Sequence, residues 1–337
     1  MNGISSAISG VGSAIGRYFS VVSFIPSLFL TSFTFALIEG GASGASGQPD
    51  WTKAGNAFTH IGNLALLTLV SVAIGIAVHP IQFALVQFFE GYWGTGWIAQ
   101  RTRTARISHY NRRYHVLTYG PGPQADIELQ EADGRGLRIE QGARITLLSK
   151  RDEAIRLKSG YPQERDEIMP TRLGNVLRRY ERLAGSQYQL EAVTVIRHTA
   201  FVAPRPHVDY LNDQRQLLDL SVRMCATSIL ATFIAIAFLW HHGPWLAIAL
   251  VPYTIAYLSY RGAVVVAHEY GAAICTIIDL DRFALYDYLR MPRPESTRAE
   301  QLMNAQLIQL LGHNPDIDLR YEYPHDSTDA DEESKGT

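Results

Sequence analysis

Two long stretches without a charged side chain stand out along this chain, one on each side of a polar middle. Residues 54–89 and 224–260 contain no Asp, Glu, Lys or Arg, and a shorter charge-free stretch covers 18–38. A helix that crosses a membrane needs about 20 mostly apolar residues for a hydrocarbon core of about 30 Å. Unpaired backbone groups cannot face lipid, so these stretches are expected to be helical. The pattern therefore predicts an integral membrane α-helical protein.

The charge-free stretches predict four spans arranged as two hairpins, at about 18–38, 61–89, 217–240 and 245–262. The second span contains His79-Pro80, which is expected to kink or end its helix because proline lacks an amide donor. The run His-His-Gly-Pro at 241–244 predicts the turn between the last two spans. Asp219 and Arg223 fall at the inner end of the third span, where we expect them to reach the interface.

The residues that follow the second span predict its orientation. Aromatic side chains at 92, 93 and 97 are typical of a membrane–water interface. Five arginines then occur between 101 and 113, and no acidic residue occurs between Glu90 and Asp126. Basic residues favour the cytoplasmic side of a bacterial plasma membrane. We therefore expect a multi-pass protein of the inner membrane, with both termini and the polar middle in the cytoplasm.

The predicted domain organisation follows from these assignments. In chain order it comprises a cytoplasmic N-terminal segment (1–17), spans 1 and 2 (18–100), a cytoplasmic α+β domain (101–216), a membrane hairpin of spans 3 and 4 (217–262), cytoplasmic helices (263–324) and a disordered acidic tail (325–337). Residues 1–16 fit either a short interfacial helix or, given their glycines, a flexible segment. Arg17 followed by an apolar stretch also resembles a signal peptide, so cleavage after Ala45 is an alternative to a retained first span.

Local patterns predict the fold of the cytoplasmic parts. Alternating stretches at 114–119, 126–129 and 191–196 predict strands, separated by Gly and Pro turns. Two helices are expected in the same domain, one from Ser149 to Gly160 and one over 171–183. After the membrane hairpin, a long helix over 263–289 is followed by an amphipathic helix over 298–311. Thr297 and Glu300 would form the capping box of that last helix.

The chain shows no motif that identifies an enzyme. It has no nucleophile elbow, phosphate-binding loop or kinase signature. His268-Glu269 begins a zinc-helix pattern, but position 272 is Ala where the second histidine is required. We assign no catalytic, cofactor-binding or metal-binding residue, and an enzyme is the less favoured interpretation. A net charge of −2 also makes a nucleic-acid partner unlikely.

Two sets of residues are candidates for binding. Four arginines on the 171–183 helix are candidates for contact with anionic lipid or a protein partner, namely Arg172, Arg178, Arg179 and Arg182. The alternative is an ordinary solvated helix face. Asn63 and His79 in the second span form a candidate intramembrane polar site. They could equally form hydrogen bonds between helices.

Two segments carry a resemblance to known proteins. Pro-Thr-Arg-Leu-Gly-Asn at 170–175 and Asp-Leu-Asp-Arg-Phe-Ala-Leu-Tyr at 279–286 resemble segments of a group of uncharacterised bacterial membrane proteins. In that group a similar element precedes a hairpin of two membrane helices. The resemblance covers about 165–295. It implies a bacterial plasma-membrane protein, and it transfers no catalytic or binding residue.

Together these features favour a non-enzymatic membrane anchor, scaffold or subunit of a complex. Amphipathic helices predicted on the cytoplasmic side are suited to binding a protein partner or a second copy of the chain. The alternative is an oligomeric channel or transporter for a small solute, which the polar residues and the proline of the second span motivate. Membrane lipid is an expected partner in both cases.

Overall fold

Helices account for all the regular structure in the described part of the chain. The computed structural model describes residues 19–42, 48–314 and 321–322. Its α-helices are α1 (Ile25–Glu39), α2 (Trp51–Ala57), α3 (Ile61–Val78), α4 (Gln82–Glu90), α5 (Trp97–Tyr119), α6 (Pro121–Gly134), α7 (Gln141–Lys158), α8 (Arg172–Leu183), α9 (Ala192–Val202), α10 (Arg205–Leu239), α11 (Leu250–Tyr288) and α12 (Thr297–Leu311). A π-helical turn, Phe19–Phe24, precedes α1.

Within the described residues, four helical stretches are long and apolar enough to cross a membrane, namely Val22–Glu39, Ile61–Glu90, Arg205–Leu239 and Gly243–Tyr288. This confirms the prediction of a multi-pass helical membrane protein with four spans. The second stretch is interrupted by the 3-10 turn His79–Ile81, where Pro80 cannot donate an α-helical hydrogen bond. The third stretch has 35 residues, or about 52 Å of helix, so it extends beyond a hydrocarbon core of about 30 Å.

The predicted α+β domain is wrong, because the described residues contain helices where the strands were expected. Residues 114–119 form the end of α5, 126–129 lie inside α6, and 192–196 open α9 directly after its N-cap, Glu191. In α6 the buried positions include Ala125, Leu129 and Ala132, which recur with helical spacing. The predicted strands are so short that their alternation of apolar and polar residues cannot distinguish the two-residue period of a strand from the 3.6-residue period of a helix. Packing of one helix face decided between the two.

Two predicted helix starts are also wrong. Ser149 lies in the middle of α7, which begins at Gln141 and ends just before Gly160 as expected. The cap of α12 is Ser296, whose hydroxyl accepts a hydrogen bond from the Ala299 amide at 3.2 Å. Glu300 faces the protein interior and takes no part in a capping box. By contrast, the helix predicted over 171–183 is confirmed as α8.

Several expectations concern residues outside the described ranges. They are the interfacial or flexible segment at 1–16, Arg17, cleavage after Ala45 and the acidic tail at 325–337. The connection between the first two spans is described in part, and it contains helix α2. The Asp50 carboxylate caps this helix by accepting hydrogen bonds from Thr52 and from the Lys53 amide. The Thr52 hydroxyl is the main cause of an Asp50 pKa below the ordinary value.

The chain divides into two compact units. The first contains Met1–Arg179 and Asn212–Tyr270, and the second contains Tyr180–Leu211 and Gly271–Thr337. In the first unit, the segment that contains α1 packs against α3 through small and hydroxylated residues. The Thr31 and Ser71 hydroxyls lie 2.6 Å apart, and a Cβ on Gly75 would lie 3.3 Å from the Ser23 carbonyl oxygen. Such small residues allow membrane helices to approach closely.

The second unit has its own core, which residues from α9, α11, α12 and the loops between helices form together. Its buried members are Ala184, Leu190, Ala192, Val195, Ile278, Leu285, Tyr286, Met291 and Leu307. The 279–286 segment that carries the resemblance supplies two of them, Leu285 and Tyr286. A largely buried ion pair joins α11 to α12 beside this core, where Arg282 Nε donates to Glu300 Oε1 at 2.7 Å.

Further polar contacts connect this ion pair to its surroundings. The Tyr286 hydroxyl donates to Asn304 Oδ1 at 2.7 Å, and Asn304 Nδ2 donates to the Tyr188 carbonyl at 2.9 Å. The Arg282 guanidinium lies 3.9 Å from the centre of the Tyr188 ring. Because Glu300 and Asn304 are both on α12, this network ties α12 to α11 and to the 186–188 turn.

We predict that Glu300→Ala selectively destabilises α12. The substitution removes the carboxylate partner of Arg282, whose side chain is 13% exposed. Loss of one partner of a fully buried pair costs about 3–5 kcal/mol, and this is the upper limit for the largely buried Arg282. Hydrogen–deuterium exchange of the purified full-length protein would show faster exchange of the α12 amides. Gln306→Ala is the matched control, because Gln306 is exposed on the same helix. Equal protection in the two variants would contradict a stabilising role for the ion pair.

Candidate functional site

The Pro-Thr-Arg-Leu-Gly-Asn element forms a close junction between α8 and the end of α4. The Thr171 hydroxyl accepts a hydrogen bond from the Gly174 amide at 2.9 Å, so Thr171 caps α8. The same hydroxyl donates to the Glu90 carbonyl at 2.8 Å. A Cβ on Gly174 would lie only 2.1 Å from the Glu90 carbonyl oxygen. Glycine is therefore required where the two helix ends meet.

The other residues of the element hold the chain that enters α8. Asn175 Oδ1 accepts from the Met169 amide at 2.8 Å, and Asn175 Nδ2 donates to the Met169 and Thr171 carbonyls at 3.0 and 2.7 Å. Gly91 has a φ of 109°, which disfavours other residues. A Cβ there would lie 2.3 Å from Pro170 Cγ. The most distinctive sequence element is thus a packing junction at the end of a membrane span.

The four arginines predicted on α8 do not form one cluster. Arg172 and Arg182 are exposed, while Arg178 and Arg179 are half-buried. Arg178 donates to the Tyr92 hydroxyl at 2.9 Å. Arg179 donates to the Tyr161 carbonyl at 3.3 Å, and burial raises the pKa of the Tyr161 phenol. Contacts within the protein therefore occupy Arg178 and Arg179, which are two of the four predicted arginines.

The two residues of the predicted intramembrane site lie at opposite ends of α3. Asn63 is near its start and donates to the Ala57 carbonyl at 2.9 Å. His79 follows its last residue and is exposed. Their separation of 16 positions corresponds to about 24 Å of helix. The structure therefore does not bring Asn63 and His79 together.

A buried polar cluster lies elsewhere in the first unit, and we call it the Arg223 cluster. It consists of Ser23, Gln82, Asp219 and Arg223, all of which are buried. Arg223 is 0% exposed; its Nε donates to Gln82 Oε1 at 2.8 Å and its Nη1 to Ser23 Oγ at 2.5 Å. Gln82 Nε2 donates to the Asp219 carbonyl at 3.1 Å and to Asp219 Oδ1 at 3.2 Å.

The cluster corrects the expectation that Arg223 reaches the interface. Its side chain instead turns towards the segments that hold the first and second spans, where Ser23 and Gln82 receive it. Arg223 precedes Leu239, the last residue of α10, by 16 residues or about 24 Å. That distance is shorter than a hydrocarbon core of about 30 Å. The charge is thus accommodated by enclosure among helices.

In the Arg223 cluster, the neutral Gln82 amide is a bridge between the Arg223 guanidinium, which carries a fixed positive charge, and Asp219. A guanidinium stays protonated in proteins, so it must keep polar partners when it is buried. The Gln82 amide accepts from Arg223 and donates to Asp219, and this pattern defines the orientation of the amide. Such a cluster can hold three helical segments in register.

One sequence signal could have located this cluster. Asp219 and Arg223 are four residues apart, so they lie one above the other on one face of α10. A pair of opposite charges at this spacing beside a charge-free stretch indicates polar partners on neighbouring helices. Gln82 gave no such signal, since it is a single polar residue in an apolar stretch. Within the described residues, no group of three or more His, Cys, Asp or Glu side chains is arranged to hold a metal ion.

Comparisons with protein-family models, with curated proteins and with solved structures find no match to this chain.

We predict that Gly174→Ala destabilises the protein although alanine favours helix. Alanine in a helix interior is about 1 kcal/mol better than glycine. Here the new Cβ would meet the Glu90 carbonyl, and such overpacking costs about 1–3 kcal/mol. Thermal unfolding of the detergent-purified protein should therefore show a lower Tm. In the control Gly142→Ala, the Cβ meets nothing within 4 Å, and the Tm should be equal or higher. A Gly174→Ala Tm at or above the wild-type value would contradict the packing argument.

Proposed function

We propose that this protein is a non-enzymatic anchor, scaffold or subunit of a complex in a bacterial inner membrane. Both termini and the helices between the second and third spans would lie in the cytoplasm. The arginines at 101, 103, 106, 112 and 113 directly follow the second span, which supports this orientation. In this role the first unit, which contains the spans and is called the membrane unit below, holds the protein in the bilayer. The cytoplasmic helices bind a partner protein or a second copy of the chain.

The polar contacts of the membrane unit support a static role for the spans. The Thr31–Ser71 contact joins the first two spans. The Gln82–Arg223 bond joins α4 to α10, and Thr171 binds the Glu90 carbonyl at the end of α4. Each contact connects two helices of the same unit, as expected for a rigid frame.

One exposed aromatic residue carries the proposal. Phe201 is 91% exposed, while Val195 and Thr199 on the opposite face of α9 are fully buried in the second unit. Val193 and Phe201 are two helical turns apart on the outer face, with Arg197 between them. The core of the unit thus holds α9 in place and presents a phenylalanine. Aromatic and arginine side chains on a rigid element are typical of protein interfaces.

We predict that Phe201 lies in a protein interface. A photoreactive phenylalanine analogue at 201 should form one defined cross-linked species in intact cells. The same analogue at Leu302, which is 71% exposed on α12, should not. Phe201→Ser should reduce the size of the complex purified in nanodiscs without changing the Tm, because the side chain contributes nothing to the core. Unchanged complexes in Phe201→Ser, with no cross-link at 201, would contradict the scaffold proposal.

The alternative function is an oligomeric channel or transporter for a small solute. The Arg223 cluster favours it, because an ionisable side chain inside a span often marks a transport path. Asn63 and His79 would contribute at the two ends of the second span. In this alternative, the fixed charge of Arg223 selects an anionic solute.

Flux measurements on proteoliposomes separate the two functions. The scaffold proposal predicts no flux of chloride, phosphate or potassium above that of protein-free vesicles. Flux that Arg223→Lys preserves and Arg223→Gln removes would support the transport alternative, since only the first variant keeps the charge. Asn63→Ala and His79→Ala would then also change the rate. Monodisperse behaviour of each variant in detergent is the control for folding.

A further inference from the structure

Helix α5 presents an outer face that combines aromatic and basic side chains. Trp97 is 74% exposed and Tyr119 is 67% exposed, while Arg101 and Arg112 are exposed between them. At about 100° per residue, these four positions fall within about 60° of one another around the helix. Ile98, which is 62% exposed, lies at the edge of the same face. The face contains apolar anchors at its ends and positive charge in its middle.

The opposite face of α5 is packed, so the orientation of the helix is defined. Tyr110 is buried, and its ring centre lies 6.2 Å from that of Tyr161. The Tyr114 hydroxyl donates to the Gln163 carbonyl at 3.0 Å. Tyr110 is about 180° around the helix from the outer face. The aromatic and basic side chains therefore point away from the protein for a structural reason.

Chain connectivity keeps this helix close to the end of the second span. That span ends at Glu90, and six residues lead from it to Trp97. Arg106 Nε donates to the Pro170 carbonyl at 3.4 Å, and a Cβ on Gly91 would lie 2.3 Å from the Pro170 ring. Trp97 is nine residues from Arg106, or about 14 Å along the helix. The first half of α5 thus lies within a few helical turns of the span end.

The length of the second span allows its end at Glu90 to lie at the depth of the lipid headgroups. Ile61–Glu90 contains 30 residues, or about 45 Å of helix. A bilayer with its headgroups is about 40–45 Å thick. Glu90 can therefore lie at the headgroup level, with the beginning of α5 beside it. Trp and Tyr prefer that level, where one part of the ring is apolar and the other is hydrated.

The positive charge of α5 favours binding to an anionic surface. Five arginines occur between 101 and 113, and no Asp or Glu occurs between Glu90 and Asp126. Each basic side chain near an anionic membrane is attracted to it, and the attraction falls off within a Debye length. An anionic protein surface would match the arginines equally well. It would not explain the exposed Trp97 and Ile98 next to a span end.

We propose that the outer face of α5 binds the anionic surface of the leaflet in which the second span ends. Trp97 and Ile98 insert between the headgroups, and Arg101 and Arg112 bind lipid phosphates. The α8 arginines are not required for this contact. The membrane thereby holds α5 and the 161–170 loop packed on it, independently of the function proposed for the second unit.

Spin labels on the full-length protein test this proposal. In a background of Cys225→Ala and Cys275→Ala, Ile98→Cys and Ile155→Cys introduce labels at two isoleucines that are 62% and 61% exposed. Each protein is reconstituted into phosphatidylcholine vesicles, with and without phosphatidylglycerol. Collision rates with oxygen, which partitions into lipid, and with a water-soluble nickel complex measure the depth of each label.

We expect the label at 98 to be in lipid and the label at 155 to be in water. The depth at 98 should increase with the phosphatidylglycerol fraction, and Arg101→Gln with Arg112→Gln should abolish that dependence. A label at 98 as accessible to nickel as the label at 155 would overturn the proposal. So would a depth that is the same with and without phosphatidylglycerol. Shielding from both reagents would indicate a protein partner and would overturn it as well.

Discussion

A permanent positive charge inside a membrane-spanning helix constrains the whole membrane unit. The Arg223 guanidinium cannot lose its proton, and its position in α10 is within reach of the hydrocarbon core. Its hydrogen bonds to Ser23 and Gln82 require these segments to lie beside α10 in one register. The 3-10 turn at His79–Ile81 immediately precedes Gln82, so the proline that interrupts the second span also sets where α4 begins. Enclosure of one charge thereby determines the arrangement of three helical segments.

The requirement that a buried polar or charged group has a partner also applies outside the spans. Where two helix ends meet, Gly174 leaves room for the Glu90 carbonyl, and Thr171 satisfies that carbonyl with a hydroxyl. In the second unit the largely buried Arg282 charge is balanced by Glu300 and stacked on Tyr188. The polar residues Thr171, Arg282 and Glu300 thus hold helices together. The outer faces of α5 and α9, which we propose as binding surfaces, expose apolar side chains beside arginines.

The candidate sites illustrate how far sequence reasoning extends. The Pro-Thr-Arg-Leu-Gly-Asn element is unusual in composition, and it is indeed a highly connected part of the fold. The arginines of α8 were predicted to contact lipid or a partner because of their charge. Two of them, Arg178 and Arg179, instead donate hydrogen bonds to Tyr92 and Tyr161. Asn63 and His79 occur in the same apolar stretch but lie a whole helix apart. Gln82 is the polar residue of that stretch that meets a charge, and its partners Asp219 and Arg223 lie on α10, about 140 residues away in the chain.

The sequence by itself determined the four spans, the interruption at Pro80 and the helix over 172–183. These depend on local properties: the length of an apolar stretch, the missing amide of proline and the period of one helix face. Only the tertiary structure decided that 114–119, 126–129 and 192–196 are helical, because burial of Ala125 and Leu129 or of Ala192 and Val195 selects the helical period. It also decided that Arg223 is enclosed rather than extended to the interface. That choice depends on which helices pack together, and such contacts join residues far apart in the chain.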